Sequence, residues 1–152
     1  MQPNRDVQRS AHVTDVLIRD LIPTGNAPEV TEVGQILRRL VSVPFPSIRE
    51  HLAQRIRDEQ WSAATTEQEY LGDLRRAIED SRIHLSVYKR RGGAIAAVLT
   101  ETQRIVPEER RGAKWEPLLF IAYSADRGII VTGYQAGALG EIRIPGDAQW
   151  FR

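Results

Sequence analysis

Residues 116–135, EPLLFIAYSADRGIIVTGYQ, hold two apolar runs rich in β-branched and aromatic side chains on either side of Ser124-Ala125-Asp126-Arg127-Gly128. A short polar link ending in glycine is what a hairpin loop uses, so the stretch predicts a β-hairpin with strands over residues 118–123 and 129–135. Strand side chains alternate between faces. That pattern sends Ile129 and Val131 toward a core and puts Ile130, Thr132 and Tyr134 together on the opposite face. A hydroxyl and a phenol two residues apart on an open sheet face can contact a polar ligand.

A second hairpin is predicted upstream. Ile83, Leu85 and Val87 alternate with His84, Ser86 and Tyr88, and after Lys89 to Gly93 a further run covers residues 94–100. Residues 102–115 read mostly as a long charged loop, with Arg104-Ile105-Val106 able to extend a strand, and residues 141–144 add a short edge strand.

Before the sheet the period changes to that of a helix, and each segment opens with a capping signal. Asn26 stands three residues before Glu29 with Pro28 inside the first turn, and Val30, Val33, Ile36, Leu37, Leu40 and Val41 follow helical spacing. Ser47 repeats the device with Glu50, ahead of a stripe of Ile48, Leu52 and Ile56. Thr66 with Glu69 opens a third helix, in which Tyr70, Leu71, Leu74, Ala77 and Ile78 share a face. Helices first and consecutive hairpins afterwards define an α+β domain, with N-terminal helices on one face of a four- to five-stranded antiparallel sheet. The organisation expected is an N-terminal extension with one amphipathic helix over residues 1–45 and an α+β domain over 46–152. Residues 13–22 are apolar but fit helix or strand equally.

Composition excludes several chemistries. The chain of 152 residues has no cysteine, hence no disulfide, thiolate metal site or cysteine nucleophile. His12, His51 and His84 are not spaced as metal ligands, and neither a P-loop nor a dinucleotide fingerprint occurs. No cofactor is expected. Without a basic stretch leading into an apolar run at the N-terminus, or any run of about 18 apolar residues, the expectation is a cytoplasmic chain with no membrane partner. The formal net charge is only +1, yet residues 82–152 carry 11 basic against 7 acidic side chains. Lys89-Arg90-Arg91, Arg104, Arg110, Arg111 and Lys114 supply most of that excess, either as solvated loop charges or as an electropositive rim for a phosphate-rich ligand.

His51 and Arg55 lie one turn apart on the flank of the second helix's apolar stripe. Two readings are open: a boundary histidine with a neighbouring arginine, or a proton-transfer group beside a guanidinium able to grip phosphate. His84, on one face with Tyr88, is a second candidate.

The order of these features, a helix with His-x-x-x-Arg (His51, Arg55), the capped helix TTEQEYLGDLRRAIED and a strand-rich half ending in LLFIAYSADRGIIVTGYQ, resembles the BECR superfamily. These are the barnase, EndoU, colicin and RelE-like ribonucleases, and the likeness is to their phage-associated and toxin-module branches, over residues 46–136. The resemblance implies a metal-independent ribonuclease, acting by attack of the ribose 2′-hydroxyl on the adjacent phosphate to leave a 2′,3′-cyclic phosphate. It casts His51 as acid or base, Arg55 as phosphate ligand, and Thr132 and Tyr134 as groups that hold or protonate phosphate oxygens. Lys114, Arg111 and Lys89 would contact substrate. RNA and a cognate inhibitor protein are the partners to look for. The alternative is a noncatalytic protein-interaction domain, as an immunity, antitoxin or phage accessory protein would be.

Overall fold

The computed structural model describes residues 43–80, 84–90, 93–124, 127–142, 144–145 and 148–150. The expected helix after Asn26 and the ambiguous segment 13–22 lie outside them. Two helices, α1 (Ile48–Arg57) and α2 (Glu67–Glu79), precede strands β1 (His84–Arg90) and β2 (Gly93–Glu101). A one-turn helix, α3 (Thr102–Ile105), and a 3-10 turn at Glu108–Arg110 follow. Strands β3 (Leu118–Ser124) and β4 (Ile129–Ala136), a 3-10 turn at Leu139–Glu141 and the short β5 (Gln149–Trp150) complete the fold. The strands form one antiparallel sheet in the order β4-β3-β2-β1-β5. This is the α+β architecture that the hydrophobic patterning implies, with the helices ahead of a five-stranded antiparallel sheet.

The two helices are started differently. At α2 the Thr66 hydroxyl accepts from the Glu69 amide at 3.1 Å while the Glu69 carboxylate accepts from the Thr66 amide at 2.9 Å, a complete capping box. Thr66→Ala should lower stability by about 1 kcal/mol. The check is a lower urea midpoint at unchanged slope. At α1, Ser47 stands at the N-cap with φ −96° and ψ 26°, and its side chain makes no capping bond. The expected Ser47–Glu50 box is therefore absent although the helix begins where it should. A serine caps from extended backbone, and the turn after Phe45 holds Ser47 out of that region.

Apolar side chains pack on both faces of the sheet. On the helix side Leu85, Ala96, Val98, Leu119, Ile121, Tyr123 and Ile130 meet Leu52, Trp61, Tyr70, Leu74, Ala77 and Ile78. Leu74 presses so close to β4 that a Cβ on Gly133 would lie 2.6 Å from it. The other face carries Tyr88, Ala97, Leu99, Phe120, Ala122 and Ala136, and the chain after β4 covers part of it with Leu139 and Ile142.

Three local expectations change. Ile130 points into the helix-side core at 1% exposure, while Val131 and Tyr134 pack on the opposite face. The cause is a register shift: Ala122 pairs with Thr132 but Tyr123 with Ile130, leaving Val131 as an extra bulged residue. Residues 102–115 are not a plain loop, nor does Arg104-Ile105-Val106 extend β2; α3 and the 3-10 turn occupy the segment. Its backbone closes on the end of α1, with the Gly112 amide on the Gln60 carbonyl and the Lys114 amide on that of Glu59, each at 2.9 Å. A Cβ at Gly112 would stand 2.1 Å from the Glu59 carbonyl oxygen, so glycine is required there. Lastly, the edge strand expected at 141–144 does not appear among the described residues: residues 139–141 are a 3-10 turn, and β5, later in the chain, pairs with β1 instead.

Candidate active site

The outer edge of β4 would be a row of unpaired backbone groups, and a backbone carbonyl and two side chains from the helical half close it. The Ile130 amide donates to the Pro44 carbonyl at 2.8 Å, and the Tyr70 hydroxyl donates to the Gly133 carbonyl. Gln60 takes the place of a neighbouring strand: its amide oxygen accepts from the Gln135 amide and its amide nitrogen donates to the Gln135 carbonyl, both at 2.8 Å. The Gln135 side chain returns the contact, donating to the Gln60 carbonyl at 3.1 Å and accepting from the Glu116 amide at 2.8 Å. These bonds fix α1 along β4.

That docking brings the four leading candidates together. His51 Nδ1 lies 3.2 Å from Thr132 Oγ1. One turn on, the Arg55 guanidinium carbon sits 5.6 Å above the centre of the Tyr134 ring, a cation–π contact. Arg55 Nε is buried with no hydrogen-bond acceptor among the described residues. The His51 ring leans on Phe45, with centroids 5.2 Å apart. Burial first, and then the positive charge of Arg55, hold the His51 pKa below its ordinary 6.5, against a smaller opposing pull from Glu50. At neutral pH the imidazole is therefore uncharged and can accept a proton.

Beside the pair, the open face of the sheet holds a cleft of about 220 Å³. Thr132 and Tyr134 form one wall with Phe120, whose ring centre is 5.0 Å from that of Tyr134. Tyr88 and Arg90 form the other, with the exposed Arg90 guanidinium 5.5 Å over the Tyr88 ring. Burial raises the Tyr88 pKa, and the positive charge of Arg90 offsets part of that rise. Among the described residues no group of His, Asp and Glu side chains is arranged to hold a metal ion, and no helix is long and apolar enough to cross a membrane.

The remaining candidates stand elsewhere. Lys114 is exposed and pairs with Glu59 at 3.1 Å. Arg111 donates to the Val106 carbonyl at 2.9 Å and lies over the Trp115 ring at 5.0 Å, which ties the 102–115 segment together. Lys89 alternates to the side of β1 away from the cleft, so Arg90 of the same basic run is the residue that lines it. His84 shares the face of Tyr134 but lies three strands away, about 14 Å at ordinary strand spacing. Phe120, Tyr88 and Arg90 carry no motif that would single them out; the register sets Phe120 diagonal to Thr132, and Tyr88 and Arg90, on the third strand away, meet it only by lining the same cleft. No protein-family model, curated protein sequence or solved structure matches this chain.

Proposed function

We propose that this protein is a metal-independent endoribonuclease that cleaves RNA by attack of the ribose 2′-hydroxyl on the adjacent phosphorus. The observation that carries the reading is the pairing of His51 with Thr132 and of Arg55 with Tyr134, 81 and 79 positions apart in the chain, with Thr132 and Tyr134 lining one cleft. Cleavage of this kind needs a proton acceptor, a proton donor and a group that favours charge on the phosphorane oxygens. His51, uncharged at neutral pH, takes the 2′-hydroxyl proton as the 2′-oxygen–phosphorus bond forms. Thr132 fixes the orientation of the imidazole through Nδ1. Arg55 meets the charge that grows on the non-bridging oxygens with a planar, permanently ionised group. As the bond from phosphorus to the 5′-oxygen breaks, the Tyr134 phenol gives its proton to the leaving oxygen.

The test is incubation of the purified protein with mixed RNA in EDTA, beside a His51→Ala Tyr134→Phe double variant, with analysis of product ends. Products ending in 2′,3′-cyclic phosphate, lost in the double variant, support the reading. Intact RNA across a wide range of protein concentration rejects it in favour of a noncatalytic protein-interaction domain.

A pH profile gives a sharper check. With His51 as base, kcat/KM rises with pH to a plateau, and the midpoint of the acid limb falls below 6.5 because the folded protein depresses that pKa. Arg55→Met removes one of the two depressing causes and should move the midpoint upward, apart from any loss of rate. The same shift affects stability. The unfolded chain binds a proton at His51 more readily than the folded one, so stability from this group is full above 6.5 and falls as pH drops from there through the folded pKa.

A further inference from the structure

Directly opposed residues on antiparallel strands share a face, so the register of this sheet can be read as rows running across it. One row on the open face is Thr132, Ala122, Ala97 and Ser86, all small. The row on one side is Tyr134, Phe120, Leu99 and His84. The row on the other side is Ser124, Ile95 and Tyr88, with the bulged Val131 near Ser124. A line of small side chains between two lines that are large except at Ser124 makes a trough perpendicular to the strands, and the cleft is its open part. Thr132, at the end of the small row, is the residue that contacts His51.

We propose that this trough receives a single nucleobase of the strand being cut, its ring seated over Ala122 between Tyr134 and Arg90. The inference rests on the ribonuclease reading and names the substrate class for that site: unpaired RNA. The volume of about 220 Å³ falls below the roughly 300–1,000 Å³ of pockets for drug-sized ligands and suits one planar ring. Its floor and one wall are apolar, through Ala122, Val131, Ile95 and Phe120. Arg90 adds a planar cation at the opening, its guanidinium carbon 5.5 Å from the centre of the Tyr88 ring, and arginine planes are surfaces on which bases stack. Positive charge stands on both sides, at Arg55 and Arg90, where the phosphates flanking such a base would pass. A base within a duplex is stacked and paired and cannot enter; a base in a loop or single strand can.

Two measurements test this. The full-length protein is titrated with uridine 3′-monophosphate, adenosine 3′-monophosphate and ribose 5-phosphate, and cleavage of one oligoribonucleotide is compared when free and when annealed to its complement. The nucleotides should bind about tenfold or more tightly than ribose 5-phosphate. Ala122→Leu, which fills the floor, should abolish that advantage, and Arg90→Ala, at an exposed position that does not threaten folding, should reduce it several-fold. The free strand should be cut at least tenfold faster than the annealed one. Nucleotides that bind no better than ribose 5-phosphate, or an advantage unchanged in both variants, overturn the inference. The two ideas fail separately: a base-dependent advantage lost in Ala122→Leu without any RNA cleavage leaves the trough and removes the ribonuclease. Cleavage that is indifferent to Ala122→Leu, Arg90→Ala and strand pairing does the reverse.

Discussion

His51→Ala should lower the single-turnover rate on a defined oligoribonucleotide in EDTA by about 10²- to 10⁴-fold, the range for removal of a positioned acid or base. The substitution takes away the only histidine in contact with Thr132 among the described residues, and His84 lies three strands away on the sheet. Thr132→Val keeps the shape and removes the hydroxyl on Nδ1, leaving the imidazole in place without its orienting contact. About a tenfold loss is expected for it, without a change in the pH midpoint of comparable size. A His51→Ala enzyme within threefold of the wild type would remove His51 from the chemistry, whatever became of the fold.

The largest effect on stability is expected at Asp73, which the cleft does not use. Its carboxylate is fully buried, accepts from Trp61 Nε1 at 3.0 Å and from Arg110 Nε and Nη2 at 3.1 and 2.5 Å, and also pairs with Arg76. Arg76 is half exposed and can turn to water, whereas the Arg110 side chain is 17% exposed and the Trp61 residue 1%. Asp73→Ala leaves a largely buried guanidinium without its counterion and an indole N–H without an acceptor. Breaking a buried pair in this way costs about 3–5 kcal/mol. A domain of this size has roughly 5–15 kcal/mol in total, so the variant should unfold at a much lower urea concentration. Asp73→Asn keeps an acceptor for Trp61 but gives up the charge and the acceptor facing Arg110 Nη2 and Arg76, so its loss should be smaller than that of Ala by about the Trp61 bond. Equal losses for the two variants would assign the effect to the charge that faces Arg110 and not to the Trp61 bond. A loss under 1 kcal/mol for Asp73→Ala would mean that Arg110 is hydrated where it stands.

The same network explains why Arg110, one of the basic side chains that give residues 82–152 their positive excess, is not a free cation. Sequence shows where the charges are but not which carboxylate each one meets. Asp73 is three residues from Tyr70, on the buried side of α2, and an acidic residue at such a position is the only trace of the network in the chain.

What the sequence determined by itself is local. The alternation in β1 and β3, the turn before Gly128, the Thr66–Glu69 box and the 3.6-residue stripe of α2 each involve residues a few positions apart, and each is decided by backbone geometry and side-chain shape at that place. From them follow the elements, their order and the α+β class. The tertiary structure decided everything that depends on registration between distant segments. The bulge at Val131 turned Ile130 inward and left Thr132 and Tyr134 on the open face. The Gln60–Gln135 pair, 75 residues apart, held α1 against the β4 edge. Only through that contact does a histidine on a helix stand 3.2 Å from a threonine on the last long strand. Alternation and capping are fixed by neighbours in the chain, whereas a register shift of one residue, which inverts the face of every side chain beyond it, is settled by packing against the rest of the fold.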